Sequence, residues 1–296
     1  MTERRAPKER FTDDSGLRLR VLVWEAEGEV PDSSPVDTLL LLHGYLDCAG
    51  TFDALVQGLP RWLRVVAPDQ RGHGASARVG HESWYHYFDY VRDVRAVVDA
   101  FAPGRLAVLG HSMGGGVATL FSGTWPEQVA RLVLIEGLGP PAESVDDGPT
   151  RLKRWVGELG GSGPKGSAPF PDLDEVARRL ARQNGGLDED RARELAEWLA
   201  EETDDGARWR HDPWHRARSP LLYRPERYAP FLTALVCPVL TVTGGRSWYR
   251  WDDLDTRRAH IADRRHHHFE ALGHNIHYEA PTELARVVTG FLEGDV

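Results

Sequence analysis

Ser112 is the residue of this chain whose surroundings point most directly to chemistry. It lies in Gly110-His-Ser-Met-Gly114, a G-x-S-x-G pattern, with an apolar run at 106–109 before it and small residues at 114–121 after it. This order predicts a strand, a sharp turn and a helix, and the two glycines leave room for a turn that exposes the serine hydroxyl. Because the N-terminus of a helix favours negative charge, the pattern predicts a nucleophilic serine with anion stabilisation beside it.

A serine hydroxyl needs a neutral imidazole within hydrogen-bond reach before it can act as a nucleophile at neutral pH. His274 is the candidate, because it lies in a loop between the last predicted strand and the last predicted helix. The neighbouring His277 is a weaker competitor and is expected to pack at the start of that helix.

The imidazole in turn needs a carboxylate that fixes its tautomer and stabilises the imidazolium. Glu136 is the first candidate, since it ends a predicted buried strand beside the strand that leads into Ser112. Asp252 and Asp253 are alternatives that follow the next strand, although they would also suit the start of the following helix.

Backbone N–H groups near Ser112 complete the predicted chemistry. The N–H of Met113 and that of Tyr45, with Leu46 next in line, are predicted to hold the oxyanion of a tetrahedral intermediate. The predicted substrate pocket comprises Tyr45, Leu46, His111, Trp248 and Trp251.

Alternating strand and helix patterns predict the scaffold that carries these residues. Apolar runs at 38–42, 63–68, 106–109, 132–135 and 237–243 predict buried parallel strands, 17–24 an antiparallel strand, and 264–270 the last strand. Helical patterns at 50–59, 85–101 and 282–292 complete a doubly wound α/β sheet. His43, Asp69, Ser112 and Glu136 then follow strands, at the carboxyl edge where such sheets bind ligands.

The alternation stops between residues 140 and 231, which predicts an inserted helical cap over the strand ends. Amphipathic helical patterns at 173–183 and 189–202 lie in this segment, together with Trp155, Trp198, Trp209 and Trp214. The predicted organisation is a core of residues 1–139 and 232–296, interrupted by a cap of residues 140–231.

Composition narrows the classes of function. The chain has 296 residues and a net charge of −9, which argues against nucleic acid or an anionic membrane as a main partner. No apolar stretch reaches membrane-spanning length, and the polar first ten residues predict a frayed tail and no signal peptide. Cys48 and Cys237 do not make a disulfide framework, so a reducing, cytoplasmic compartment is expected.

Two further patterns are discounted. Gly161-Ser-Gly-Pro-Lys-Gly166 matches a dinucleotide-binding pattern, but no strand precedes it, so a flexible lid loop is predicted. The run His266-His-His268 falls on a predicted strand, where adjacent side chains point to opposite faces, so the three cannot converge on one metal ion.

Together, four motifs resemble the α/β-hydrolase superfamily: His43-Gly-Tyr-Leu-Asp47, Asp69-Gln-Arg-Gly-His-Gly74, Gly110-His-Ser-Met-Gly114, and Gly273-His274 with Glu279-Ala-Pro281. The segment from His43 to Asp53 is similar to that of the serine hydrolase-like proteins. The resemblance implies an eight-stranded sheet, a serine–histidine–acid triad, a cap that shapes the substrate site, and neither a metal nor an organic cofactor.

This chain departs from the superfamily pattern in one respect. Ser247 stands where many members carry the acid, whereas Glu136 occupies the position used by some relatives. The nucleophile position holds a serine and not an aspartate, which argues against dehalogenase or epoxide hydrolase chemistry.

The expected activity is hydrolysis of an ester or related acyl bond, through an acyl-enzyme on Ser112 with His274 as general base. An apolar or aryl ester is the expected small-molecule substrate, because the cap is rich in tryptophan. C–C bond hydrolysis and lactone hydrolysis would use the same residues, and a non-catalytic ligand-binding protein is a further alternative. The sequence leaves the oligomeric state open.

Overall fold

The apolar run Thr38–Leu42 is fully buried because it forms an inner strand of a sheet covered on both faces. The structure is a computed structural model that describes residues 4–80, 83–160, 164, 166–185 and 187–294. The strands are β1 (Lys8–Thr12), β2 (Leu19–Trp24), β3 (Thr38–Leu42), β4 (Arg64–Pro68), β5 (Leu106–His111), β6 (Val129–Ile135), β7 (Ala200–Thr203), β8 (Gly206–Trp209), β9 (Val239–Gly244) and β10 (Arg264–Phe269).

Eight of these strands form one sheet in the order β1-β2-β4-β3-β5-β6-β9-β10. β1 pairs with β2, and β2 with β4, in antiparallel fashion, and all other neighbours in this sheet are parallel. The sequence-based prediction of a mostly parallel eight-stranded sheet is confirmed. β5, which leads into Ser112, lies between β3 and β6, so the loops after all three strands meet at one edge.

Helices cover both faces of the sheet. They are α1 (Asp53–Gln57), α2 (Tyr87–Phe101), α3 (Met113–Thr124), α4 (Gly148–Leu159), α5 (Leu173–Gln183), α6 (Glu189–Leu199), α7 (Pro225–Thr233), α8 (Leu254–Ala259), α9 (Ile276–Glu279) and α10 (Pro281–Glu293). Leu40 and Leu42 pack in a core with α2 and α3, whereas Leu39 and Leu41 pack in a second core with α1 and α10. This alternation is the period-two pattern of a strand buried on both sides.

The segment between β6 and β9 interrupts the sheet and carries α4 to α7. α5 and α6 pack on each other through a third apolar core. The helix predicted at 189–202 ends at Leu199, because the chain turns there into the β7–β8 hairpin, which the sequence did not predict. α7 extends past residue 231 and packs on the core near α3 through Leu232. The proposed boundary between cap and core at 231 therefore falls inside a helix.

The prediction of a frayed N-terminal tail is wrong from residue 4 onward. β1 adds an antiparallel edge strand to the sheet. The guanidinium of Arg5, which is buried, donates hydrogen bonds to the carbonyl oxygens of Trp24, Glu25 and Leu63. These contacts hold the segment around Arg5 on the edge of the sheet.

Two minor predictions have different outcomes. The glycine-rich segment 161–166 falls mostly outside the described residues. In β10, His266 and His268 lie on one face against Thr241 and Thr243, while His267 packs on Phe269. Adjacent side chains of the run thus point to opposite faces, as predicted.

No helix among the described residues is both long enough and apolar enough to span a membrane.

Candidate active site

Ser112 sits in a strained turn between β5 and α3. Its backbone has φ 52° and ψ −114°, a left-handed conformation that costs a non-glycine residue free energy and is concentrated at functional sites. A Cβ on Gly114 would lie 2.1 Å from the carbonyl oxygen of Leu42, and one on Gly110 would lie 2.4 Å from the carbonyl oxygen of Gly114. The two flanking glycines are therefore required by the close approach of neighbouring backbone.

Ser112, His274 and Glu136 form a continuous hydrogen-bonded chain. His274 Nε2 lies 3.0 Å from Ser112 Oγ, and His274 Nδ1 lies 2.6 Å from Glu136 Oε2. With the Nδ1–H tautomer, His274 donates to the carboxylate and accepts from the serine hydroxyl. Three residues that are far apart in the chain thus adopt the arrangement that a general-base-activated nucleophile needs.

Glu136 is held rigidly where β6 ends. Its side chain is buried, its φ is 47°, and its backbone N–H donates to the carbonyl oxygen of Val242 on β9 at 2.9 Å. Oε1 accepts a hydrogen bond of 2.8 Å from Gly244 N–H, and Oε2 accepts one from the Ser247 hydroxyl. Ser247, which stands where many superfamily members carry the acid, is therefore a hydrogen-bond donor to the candidate acid Glu136.

The alternative acids lie elsewhere. Asp252 is exposed, and Asp253 precedes α8 and forms a salt bridge of 2.7 Å with Arg257. The carboxylate that His274 Nδ1 contacts is that of Glu136. Asp253 lies at the start of α8, the position that the sequence also allowed for it.

The loop after β3 brings a second backbone donor toward Ser112. Leu46 has φ 60°, and its N–H donates to His73 Nε2 at 3.2 Å. This hydrogen bond occupies the Leu46 N–H and leaves the N–H of Tyr45, with that of Met113 at the start of α3, as the candidate oxyanion donors. Among the described residues, Leu46, Ser112 and Glu136 are the non-glycine residues with positive φ, so backbone strain is confined to this site.

A cavity of about 370 Å³ opens onto Ser112 and His274. Four predicted pocket residues line it, namely Tyr45, Leu46, His111 and Trp248. The fifth, Trp251, does not: its indole packs against Tyr249 and donates to the carbonyl oxygen of Gly139 at 3.0 Å, so that prediction is wrong. Trp248 instead covers the His274 ring at 4.4 Å between ring centroids.

Sequence reasoning missed the cap residues that line this cavity. They come from α5, α6, the β7–β8 hairpin and the segment after it: Arg179, Leu180, Gln183, Asn184, Leu199, Trp209, His211 and Arg216. The amphipathic pattern of α5 was visible in the sequence, but the pattern does not tell which polar residues at the edge of the helix face a site. The lining is more polar than the tryptophan content of the cap suggested.

Asp47 joins the loop after β3 to the segment that follows His274. Its buried carboxylate accepts hydrogen bonds from Cys48 N–H at 2.7 Å, Thr51 Oγ1 at 2.8 Å and Tyr278 OH at 2.9 Å, and it lies 3.3 Å from His277 Nε2. Burial acts to raise the pKa of Asp47, but the hydrogen bond with His277 and the surrounding histidines outweigh it and hold that pKa well below its usual value. Asp47 belonged to a matched motif, but its role was not evident from the sequence.

His111 extends this buried network. Its Nε2–H donates to the carbonyl oxygen of His274 at 3.0 Å, and its ring lies 4.5 Å from that of His277. Asp47, His111 and His277 also offer ligand atoms within 4.8 Å of one another. The Nε2 atoms of both histidines have hydrogen-bond partners, which place the set beneath the His274 loop, whereas their Nδ1 atoms are buried and have none among the described residues.

Replacement of Asp47 by asparagine is expected to destabilise the fold by about 3 kcal/mol, because the change removes the buried anion that four donors surround. Urea unfolding at pH 7.5 measures the change. Asp204, exposed in the β7–β8 turn, supplies the matched control, since Asp204→Asn should leave stability within about 0.5 kcal/mol of the native value. Equal stabilities for the two variants would contradict the support role of Asp47.

Buried neutral histidines make the stability of this chain sensitive to acid. Burial is the main cause that lowers the pKa of five of them. The pKa falls to about 4 for His211 and about 3 for His215, and it is also lowered for His73, His111 and His277. The unfolded chain binds these protons near pH 6.5, so the stabilisation is present above that pH and is lost as the pH falls below it.

The expected result is a fall in the free energy of unfolding of several kcal/mol between pH 7 and pH 5, at up to about 1.4 kcal/mol per pH unit for each histidine. Between pH 7 and pH 8 this contribution should be constant. Urea titrations at half-unit pH intervals measure the dependence, and a flat profile from pH 7 to pH 5 would show that these histidines are not held neutral.

Comparisons with known proteins agree with the fold. The family model described as alpha/beta hydrolase fold matches residues 37–281, and the chain belongs to this family. It is 28% identical to a serine hydrolase-like protein of Danio rerio, over 94% of this chain and 88% of that protein. It is 27% identical to one of Mus musculus, over 92% and 91% respectively.

Solved structures give the same result. The thioesterase domain from the curacin biosynthetic pathway superimposes with a TM-score of 0.82 and 25% identity, over 96% of this chain and 99% of that domain. A hypothetical protein from Pseudomonas aeruginosa superimposes with a TM-score of 0.80 and 28% identity, over 97% of this chain and 99% of the other. These similarities support a hydrolase.

Proposed function

We propose that this protein is a serine hydrolase that cleaves an ester or related acyl bond through an acyl-enzyme on Ser112. The observation that carries the proposal is the hydrogen-bonded chain from Glu136 through His274 to Ser112, with 2.6 Å and 3.0 Å between the bonded atoms. Ser247 and Gly244 N–H orient the carboxylate that orients the imidazole.

The first half of the reaction forms the acyl-enzyme. Ser112 Oγ attacks the carbonyl carbon while His274 Nε2 accepts its proton, and Glu136 stabilises the resulting imidazolium. The N–H groups of Met113 and Tyr45 hold the oxyanion of the tetrahedral intermediate. Its collapse breaks the bond to the leaving alcohol, which takes the proton from His274.

The second half of the reaction hydrolyses the acyl-enzyme. Water attacks the acyl carbonyl carbon while His274 again accepts a proton, and the carboxylic acid product leaves as Ser112 Oγ takes the proton back.

A second cavity supports an aryl or apolar group as part of the substrate. It has a volume of about 360 Å³ and shares Tyr45 and Arg216 with the first cavity. It is also lined by Met113, by the rings of Trp84, Tyr87 and Tyr90, and by Arg218. Tyr87 OH donates to the carbonyl oxygen of Met113 at 3.0 Å, so this tyrosine presents its ring and not its hydroxyl. Aromatic ring faces of this kind favour apolar and aryl groups.

The test is a panel of 4-nitrophenyl esters from acetate to decanoate, combined with intact mass measurement after treatment with a fluorophosphonate. Hydrolysis of at least one ester and a single adduct on the native chain are expected. Neither hydrolysis nor adduct formation would contradict the proposal, and would favour a non-catalytic ligand-binding protein.

A further inference from the structure

The cavity at Ser112 carries positive charge that the protein does not neutralise. Arg179 on α5 and Arg216, at the end of the 3-10 turn Pro213–Arg216, both line it. Neither guanidinium forms an ion pair with a carboxylate among the described residues.

Neighbouring arginines on the same helix behave differently. Arg178 and Arg182 both pair with Glu175, at 2.8 Å and 2.9 Å, on the outer surface. Arg179 instead stacks over the ring of Phe170, with 5.9 Å between its Cζ atom and the ring centroid. This contact positions the guanidinium while leaving its N–H donors available to a ligand.

No other group in the cavity supplies the missing negative charge. Asp47 is the carboxylate among the described lining residues, and its oxygens are taken by Thr51, Tyr278 and the loop backbone. Burial, with a further contribution from the charge of Arg216, lowers the pKa of His211 to about 4, so this histidine is neutral at pH 7. Arg179 and Arg216 therefore supply positive charge that no carboxylate of the described lining pairs with, while the negative charge of Asp47 is surrounded by its own hydrogen-bond donors.

We infer that the substrate bears a carboxylate, bound by Arg179 and Arg216, in addition to the ester that Ser112 attacks. This inference rests on the proposed serine hydrolase function, because it concerns the substrate of the same site. A guanidinium offers paired N–H donors that match the two oxygens of a carboxylate. The volume of about 370 Å³ suits a small molecule that carries both groups.

The experiment compares matched charged and neutral esters. Mono-4-nitrophenyl adipate and its methyl ester place the charge on the acyl side, whereas 3-carboxyphenyl and 3-carbamoylphenyl butyrate place it on the leaving group. The readout is the ratio of kcat/KM for the charged ester to that for its neutral partner, after subtraction of spontaneous hydrolysis. In one pair the native ratio is expected to exceed about ten, since charge-assisted hydrogen bonds have this effect on binding.

Arg179→Gln and Arg216→Gln should each lower this ratio about threefold, and the double variant should bring it close to one. Arg178→Gln is the matched control, because it removes the same charge from the next residue on the outer surface, and it should leave the ratio unchanged. A native ratio near one in both pairs, or equal effects of Arg178→Gln and Arg179→Gln, would overturn the inference.

A binding measurement separates this inference from the proposed function. Calorimetry on the Ser112→Ala variant uses adipic acid monoanilide and its methyl ester, which need no turnover. Tighter binding of the charged anilide by about tenfold or more, lost in Ser112→Ala/Arg179→Gln/Arg216→Gln, would support the carboxylate site even if no ester were hydrolysed. Equal binding of the two anilides would overturn the inference even if esters were hydrolysed.

Discussion

Replacement of Ser112 by alanine is expected to lower kcat/KM for the best 4-nitrophenyl ester by about 10⁵-fold. The variant keeps the strained turn and the two backbone donors, but it has no atom that can form the acyl-enzyme. It should also abolish the fluorophosphonate adduct. Since the methyl group of alanine fits the space of the serine side chain, the fold should be retained, and thermal unfolding checks this.

The matched control for this prediction is Ser33→Ala, because Ser33 is exposed in the loop before β3. Its activity and its adduct should be those of the native protein. Retention of more than about a tenth of the native kcat/KM in Ser112→Ala would show that the measured hydrolysis arises elsewhere, on another residue or from a contaminating esterase.

Replacement of Glu136 by glutamine is expected to reduce kcat by about 10⁴-fold at neutral pH. The glutamine amide has one acceptor oxygen and one donor group, whereas Glu136 accepts hydrogen bonds from His274, Gly244 and Ser247. Loss of the anion removes the stabilisation of the imidazolium and allows the unproductive tautomer of His274.

Two companion variants identify the acid. Ser247→Ala removes one donor to Glu136 while keeping the carboxylate, so its kcat should fall only about tenfold. Asp252→Asn changes an exposed alternative acid and should keep kcat within about twofold of the native value. Stopped-flow measurement of nitrophenol release gives all three rates. If kcat fell only slightly in Glu136→Gln but strongly in Asp252→Asn or Asp253→Asn, the acid would be that aspartate and not Glu136.

Much of the fold was predictable from the chain because its local patterns agree with the final packing. The run Thr38–Leu42 is apolar at every position after the first, as a strand covered on both faces requires. The pattern at 173–183 predicted the bounds of α5. The β7–β8 hairpin was missed because Glu201 and Glu202 continue the charged helical pattern of α6, and only pairing with β8 makes them strand.

The positions of Ser112, Glu136 and His274 relative to one another follow largely from sequence. A residue that follows a parallel strand must lie at the carboxyl edge of the sheet, so a few strong strand patterns place these side chains in one region. Glycines at 110 and 114 add the local requirement for a tight turn. The sequence by itself therefore determined the family, the sheet and the candidate nucleophile, base and acid.

Only the tertiary structure determined the contacts between side chains that come from separate segments of the chain. Ser247 could be excluded as an acid from its type, but its hydrogen bond to Glu136 needs the relative placement of β6 and β9. Likewise, only the position of the cap places Arg179 and Arg216 on the cavity that opens onto Ser112, while Arg178 pairs with Glu175. Local patterns specify elements, because they act over a few residues. Contacts across a cavity depend on the orientation of whole elements, which no short pattern records.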